Sequence, residues 1–313
     1  MKLRVIFLKR KHLFFVVPLI IFTLIILFIV YKNCFQDASP SFSNILEDKT
    51  LKADFNGDGI DDKLYVKQAG NKYMIKVKMK DKVYDLTTDD SLSTISSYYP
   101  YWPLRITIMD VSRDRIPEIF IQGSLGKNSL QRIFVFNGNK FENILSNSNN
   151  ILGFIDCTNN RTPKIITGKF QGNNMILTNY ILLNYKFKNY NLQDNNTFVG
   201  KDTVSTFIDF IQKLPASRSY MPDNIFSSNL ANEDLYSIDK LATANNSYIF
   251  QDAIFMEKKC DNKGNTSELS WILNFKGISN SNNSVIKNYT VKLVLVSDSS
   301  STESNHFKIV SIY

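Results

Sequence analysis

The stretch Asp54-Phe55-Asn56-Gly57-Asp58-Gly59-Ile60-Asp61-Asp62 decides how this chain is read. It places side-chain oxygens at alternate positions, on Asp54, Asn56, Asp58 and Asp62, with the backbone carbonyl of Ile60 completing the series. A hard cation such as Ca²⁺ takes six to eight oxygen ligands, and a tight loop of inward-pointing oxygens supplies them. Gly57 and Gly59 give the backbone the left-handed or crowded torsions that such a loop demands. A plain solvated turn is the competing reading, since Asn, Asp and Gly dominate turns for backbone reasons. The regular spacing favours the cation, with Asp54, Asn56, Asp58, Ile60 and Asp62 as expected ligands.

The loop opens like an EF-hand and departs from one at its end. Its twelfth position is Tyr65 instead of a bidentate Glu, and Lys63–Lys67 reads as a strand. A Ca²⁺ loop feeding a strand resembles the FG-GAP or VCBS repeat. That resemblance implies an all-β repeat unit, a structural ion and an adhesive or ligand-binding role.

Two further copies align without gaps. In the second, Asp110, Ser112, Asp114, Ile116 and Glu118 occupy the five slots; in the third, Asp156, Thr158, Asn160 and Lys164 are recognisable. Each copy leads into an apolar strand, and Pro117 and Pro163 share a position. Arg113 and Arg115 replace both loop glycines in the second copy, and Lys164 replaces the last acid in the third. One Ca²⁺ loop followed by two vestigial loops is therefore expected. Short strands and Asn/Gly turns between the copies give an all-β texture. Three copies within residues 51–199 are too few to close a ring of blades, so an incomplete, propeller-like domain is expected.

The texture changes near residue 200. Val204, Phe207, Ile208, Ile211 and Leu214 form a helical stripe that Pro215 ends, and Leu235, Ile238 and Leu241 form a second. Strand signals follow at 248–258, 267–275, 287–297 and 306–313. Residues 200–313 are accordingly expected to fold alone as an α+β domain with a four-stranded antiparallel sheet. That order resembles the nuclear-transport-factor-like or cystatin-like cone folds.

Of 37 basic residues, six fall in residues 1–32, which contain no acid; the rest of the chain holds 31 basic and 29 acidic groups. A nearly neutral body lacks the basic face that nucleic-acid binding requires. Leu13–Tyr31 carries no charge and is about long enough to cross a bilayer as a helix. Basic residues before it place the N-terminus in the cytoplasm. The reading is a basic tail (1–12), a transmembrane helix and uncleaved signal-anchor (13–31), a linker (32–50) and an extracytoplasmic remainder at the cell membrane. A cleaved signal peptide is the rival, but no small-residue site follows the apolar run closely.

Two His exclude most His-based catalysis, and three Cys, at 34, 157 and 260, make no disulfide framework. Idle thiols are expected over a Cys157–Cys260 bridge. Asp252, Glu257, Tyr248 and Trp271 converge on no recognisable catalytic pattern and read as ordinary strand residues. The cluster Tyr98, Tyr99, Tyr101 and Trp102 reads first as core packing, with an exposed ligand or carbohydrate platform as the alternative. The functional expectation is a non-catalytic, membrane-anchored binding protein whose partner is an extracytoplasmic protein or glycan. An envelope enzyme or a partner-dependent sensor is the alternative.

Overall fold

The computed structural model describes residues 22–23, 25, 41–44, 50–88, 94–157, 163–189, 200–228, 230–298 and 306–313. The chain divides into a unit Met1–Ser41 and a unit Phe42–Tyr313. The description below concerns the second. In chain order its strands are β1 (Ser41–Asn44), β2 (Thr50–Ala53), β3 (Asp62–Ala69), β4 (Lys72–Met79), β5 (Lys82–Asp85) and β6 (Ser96–Ser97). Next come β7 (Arg105–Met109), β8 (Glu118–Leu125), β9 (Asn128–Phe136), β10 (Phe141–Asn147), β11 (Ile151–Ile155), β12 (Lys164–Gln171), β13 (Asn174–Leu183) and β14 (Lys186–Asn189). Two helices, α1 (Lys201–Gln212) and α2 (Asn232–Thr243), precede β15 (Asn246–Cys260), β16 (Thr266–Ser279), β17 (Ile286–Ser297) and β18 (Phe307–Ile312).

These strands form two sheets, not radial blades. The first runs β7-β8-β6-β4-β3-β2, with β9 and β10 beyond β8 and β5 beside β4. The second has the order β14-β13-β12-β11-β15-β16-β17-β18. Its pairings are antiparallel except one: β11 lies parallel to β15, with Ile151 opposite Ala253 and Phe154 opposite Met256. The propeller-like expectation is thereby corrected, and so is the separate four-stranded C-terminal sheet. The third loop's strands and the C-terminal strands are halves of one sheet.

The burial pattern supplies the physical reason. β11 and β12 are apolar on both faces, so neither face tolerates water. One face, with Ile151, Ile155 and Ile166, joins α1 residues Val204, Phe207, Ile208 and Ile211 in the largest core cluster. The other, with Leu152, Phe154 and Ile165, packs against Phe120, Ile133 and Val135 of the first sheet. Strand β15 alternates likewise: Ala253 and Phe255 face the helices, and Ile254 and Met256 face the other sheet. β8 is also covered twice, since Ile119 and Ile121 point away from Phe120 into a third cluster beneath β3 and β4. At Gly153 a Cβ would lie 2.0 Å from the Phe255 ring, so glycine there permits the β11–β15 contact.

A polar knot ties the sheets together. Asp252 of β15 is 2 % exposed; its Oδ1 lies 2.9 Å from Nη1 of Arg105 on β7 and accepts from Asn274 Nδ2 at 3.1 Å. Its Oδ2 accepts from Trp102 Nε1 at 2.6 Å. Gln122 donates to the Ala253 carbonyl and Gln131 to the Ile151 carbonyl, adding stitches along the same seam. Burial pushes Asp252 up and Arg105 down, and their mutual attraction opposes both shifts.

The membrane reading is also corrected. Among the described residues no helix is long and apolar enough to cross a membrane. α1 and α2 have 12 residues each, roughly 18 Å of helix against a hydrocarbon core of about 30 Å. The span expected at 13–31 lies outside the described residues except for helical Phe22, Thr23 and Ile25, so a single-pass anchor in the cell membrane is unsupported. α1 begins after Gly200, which adopts φ 68, without a side-chain cap; the Thr203 hydroxyl in its first turn donates to the Phe307 carbonyl.

Replacing Asp252 by Ala should cost about 3–5 kcal/mol, because it strands the Arg105 guanidinium in an apolar seam. Urea denaturation of the two proteins measures this. A loss under about 1 kcal/mol would mean that the pair is not an important tie.

Candidate functional site

The first two loops share one backbone design. Gly57 and Gly59 have φ 75 and 83; Arg113 and Arg115, at the aligned positions, have φ 59 and 73. In the first loop Asp54 Oδ2 accepts from Gly59 N at 2.7 Å, Asp58 Oδ1 from Ile60 N at 2.9 Å, and Asp62 Oδ2 from Phe55 N at 3.1 Å. In the second, Asp110 Oδ2 accepts from Arg115 N at 2.9 Å, Asp114 Oδ1 from Ile116 N at 2.8 Å, and Glu118 Oε2 from Val111 N at 2.8 Å. These three bonds match pair by pair between the two loops. A left-handed torsion costs a non-glycine residue roughly 1–2 kcal/mol, and the second loop holds two arginines there.

The loops are neighbours. The Ile116 side chain lies 3.2 Å from where a Gly57 Cβ would be, so the second loop covers the first. Arg113 reaches the third loop and pairs with Asp156. That contact draws its guanidinium toward the next loop. In the third loop, residues 158–162 lie outside the described residues, Thr158 and Asn160 among them. Lys164 stands where the other loops have Asp62 and Glu118, and an acid comes from the neighbouring strand instead. Glu257 Oε2 of β15 accepts the Asp156 and Cys157 N–H groups, the latter at 2.7 Å. Burial lowers the pKa of Lys164, and Glu257 and Asp156 oppose that shift. A disulfide joins Cys157 to Cys260, with 5.5 Å between Cα atoms, where idle thiols were expected.

The carboxylates are disposed differently in the two intact loops. Asp110, Asp114 and Glu118 bring oxygens within 4.8 Å of one another, and they are the one such acidic trio among the described residues. Asp54, Asp58 and Asp62 form no such trio. Asp54 receives four backbone N–H bonds, from residues 56 to 59. Asp58 Oδ2 is held 2.9 Å from Lys80 Nζ, in the turn between β4 and β5. That ammonium lowers the Asp58 pKa, and Asp58 raises that of Lys80. Burial raises the pKa of Asp62, whose side chain turns toward Phe55 N. Asn56 Oδ1 caps Asp58 N at 2.9 Å, and Ile60 is 56 % exposed.

Glu118 is the most perturbed acid of the trio. Burial pushes it up to about 7, Asp110 and Asp114 add to the rise, and the Val111 N–H and Ser112 hydroxyl oppose it. Three converging carboxylates, one of them costly to ionise, suit a divalent cation by charge and by ligand type.

The aromatic cluster separates. Trp102 is 8 % exposed and bound to Asp252; Tyr98 packs edge-on against Tyr73 at 5.4 Å. Tyr99 and Tyr101 stack at 5.2 Å, with Lys276 Nζ 4.8 Å from the Tyr101 ring. No common platform includes all four. Of the strand residues weighed for catalysis, Tyr248, Asp252 and Trp271 are buried, and Glu257 is tied into the third loop. The second-loop trio was aligned correctly by sequence, but Lys80 and Glu257 come from other strands and left no signal there.

In comparisons with known proteins, no family model matches the chain, and no characterised protein or solved structure shows detectable similarity to it.

In cation-free buffer Glu118 should make stability fall as pH rises. Below about 4.5 it is protonated folded and unfolded alike; between about 4.5 and 7 the folded state retains a proton that the unfolded chain releases. The loss across that window is on the order of 3 kcal/mol. Glu118→Gln should remove this component, which denaturation curves at pH 5 and pH 7.5 would reveal. Parallel pH profiles for both proteins would contradict it.

Proposed function

We propose that the chain is a non-catalytic binding protein in which a divalent cation, Ca²⁺ by ligand type, orders the loop end of the first sheet, and whose partner is a protein or glycan. The supporting observation is the convergence of Asp110, Asp114 and Glu118 on a loop with the same backbone design as Asp54–Asp62. Asp110, Asp114 and Glu118 would hold the ion. Its charge would offset the repulsion among three acids and draw the Glu118 proton off. The first loop, with Asp54, Asn56, Asp58, Ile60 and Asp62 as ligands, is a second candidate in which the Lys80 ammonium competes with the ion. The ion's role is structural: it pins polar loops that a partner reads, and loops on rigid sheets are common recognition surfaces.

Calorimetric and thermal titration with Ca²⁺ tests this. The melting temperature should rise by mass action, equivalent to about 2.7 kcal/mol at a hundredfold excess over the dissociation constant. Stoichiometry should be near one ion per chain. Asp114→Asn and Glu118→Gln should each abolish the gain, and Lys80→Gln should raise the stoichiometry by freeing Asp58. Mg²⁺ should substitute poorly, since it holds its water tightly and demands octahedral geometry. Melting indifferent to both Ca²⁺ and a chelator would refute the cation reading.

A further inference from the structure

The outer face of β2, β3, β4 and β5 carries six lysines and one acid. Alternation puts them there. Leu64 and Val66 of β3, and Ile75 and Val77 of β4, turn into the core, so Lys63, Lys67, Lys72, Lys76 and Lys78 take the opposite face. Strand register then sets lysines side by side: Lys52 lies opposite Lys63, and Lys63 opposite Lys78. Acids nearly balance bases over residues 33–313, but the first sheet sorts its lysines onto one side.

Folding alone does not call for this arrangement. Like charges at directly opposed strand positions are destabilising, and here three stand in one row. Lysines also protect sheet edges from pairing with other chains. That role accounts for Lys52 on the edge strand β2, but β3 and β4 lie inside the sheet. The one acid of the face, Asp85, sits 3.0 Å from Lys76 Nζ. Lys52, Lys63, Lys67, Lys72 and Lys78 form no ion pair with a described residue.

The shape of the charge narrows the partner. Lys72 to Lys78 covers roughly 20 Å along β4, and β3 adds Lys63 and Lys67 about 5 Å to the side. Half-buried Tyr65 lies within this band, opposite Lys76. The acid-rich first loop adjoins the Lys52–Lys63–Lys78 row, so the band runs from that row toward Lys72. A band one or two strands wide matches a linear polyanion better than a lipid surface. All six cations are lysines, point charges without the bidentate fork of arginine that reads phosphates and guanine edges. One tyrosine offers no run of rings on which successive bases could stack. A single ring does suit the apolar C–H face of a sugar.

We infer that this face binds a linear acidic polysaccharide, with its anionic groups along the lysine band and one sugar ring on Tyr65. The inference narrows the partner of the binding protein to one class. It rests on the binding-protein reading but not on the cation.

The test is calorimetric titration of the full chain, in chelator, with oligogalacturonate and with a heparin oligosaccharide. Neutral dextran, single-stranded oligothymidylate and phosphatidylserine vesicles are titrated in parallel. Saturable binding of at least one acidic oligosaccharide, absent with dextran and falling steeply between about 20 mM and about 0.5 M NaCl, supports the inference. The triple variant Lys63→Gln, Lys67→Gln, Lys78→Gln should bind about tenfold or more weakly. Its melting temperature should be unchanged or higher, because repulsion between β3 and β4 is relieved. A control, Lys127→Gln, Lys186→Gln, Lys287→Gln, removes three exposed lysines elsewhere and should bind like wild type. Equal weakening by the control would reduce the effect to net charge and overturn the site. So would failure of both acidic oligosaccharides to bind, or tighter binding of oligothymidylate or vesicles that the first triple variant abolishes. With chelator present throughout, failure here is distinct from failure of the cation reading, which the Ca²⁺ melting response reports.

Discussion

The Asp252 carboxylate, enclosed between two sheets, is the constraint on which the arrangement of this protein rests. A carboxylate taken out of water needs its lone pairs met, and donors from Trp102, Arg105 and Asn274 meet them from both sheets. Arg105 and Asn274 are held in turn. Arg105 sits within 3.4 Å of Gln122 Oε1, Gln122 donates to the Ala253 carbonyl, and Asn274 accepts from Thr290. A one-residue slip of either sheet would set a guanidinium or a carboxylate against the apolar cluster of Phe120, Phe154 and Ile254. Apolar packing alone would leave the relative register of two β surfaces weakly determined; the polar knot fixes it.

At the other end of the first sheet, one backbone design is repeated with different chemistry. Its essential bond joins the second residue's N–H to an acid at the ninth position, and the third loop shows how strongly that N–H must be satisfied. With Lys164 at the ninth position, the acid is supplied across the sheet by Glu257. The arginines at left-handed torsions in the second loop are tolerated in the same sense: the loop keeps its form, and Arg113 gains a bond to Asp156 that no glycine could make. Conserving a hydrogen-bond scheme is thus separable from conserving a cation site. Lys80 makes the same point in the first loop, where its ammonium sits against an acid that spacing alone assigns to a metal.

What was legible in the sequence is what depends on neighbouring residues. The apolar stripe Val204–Leu214 became α1, the second stripe became α2, and the four last strand signals became β15 to β18 within a few residues of their expected ends. The gapless alignment of Asp54 with Asp110 and of Asp62 with Glu118 anticipated matching bonds. Illegible were the contacts made between distant segments. The parallel pairing of β11 with β15 joins residues about a hundred positions apart and leaves no periodic trace. The Cys157–Cys260 bridge depends on that same pairing, because it brings the third loop beside the end of β15. Asp252 read as an ordinary strand carboxylate because its partners Arg105 and Trp102 lie on another sheet. An autonomous C-terminal unit was therefore a reasonable expectation from local pattern and a poor guide to which strands share a core.

The most direct measurement is on residues 200–313 expressed alone. If β11 and β12 complete the sheet and core that β15 enters, this fragment should lack a cooperative melt and show collapsed amide dispersion, because one face of Ile254, Met256 and Ile272 would be uncovered. Adding residues 50–199 should restore both properties. A well-dispersed spectrum and a cooperative transition from the fragment alone would contradict the shared sheet and the seam described here.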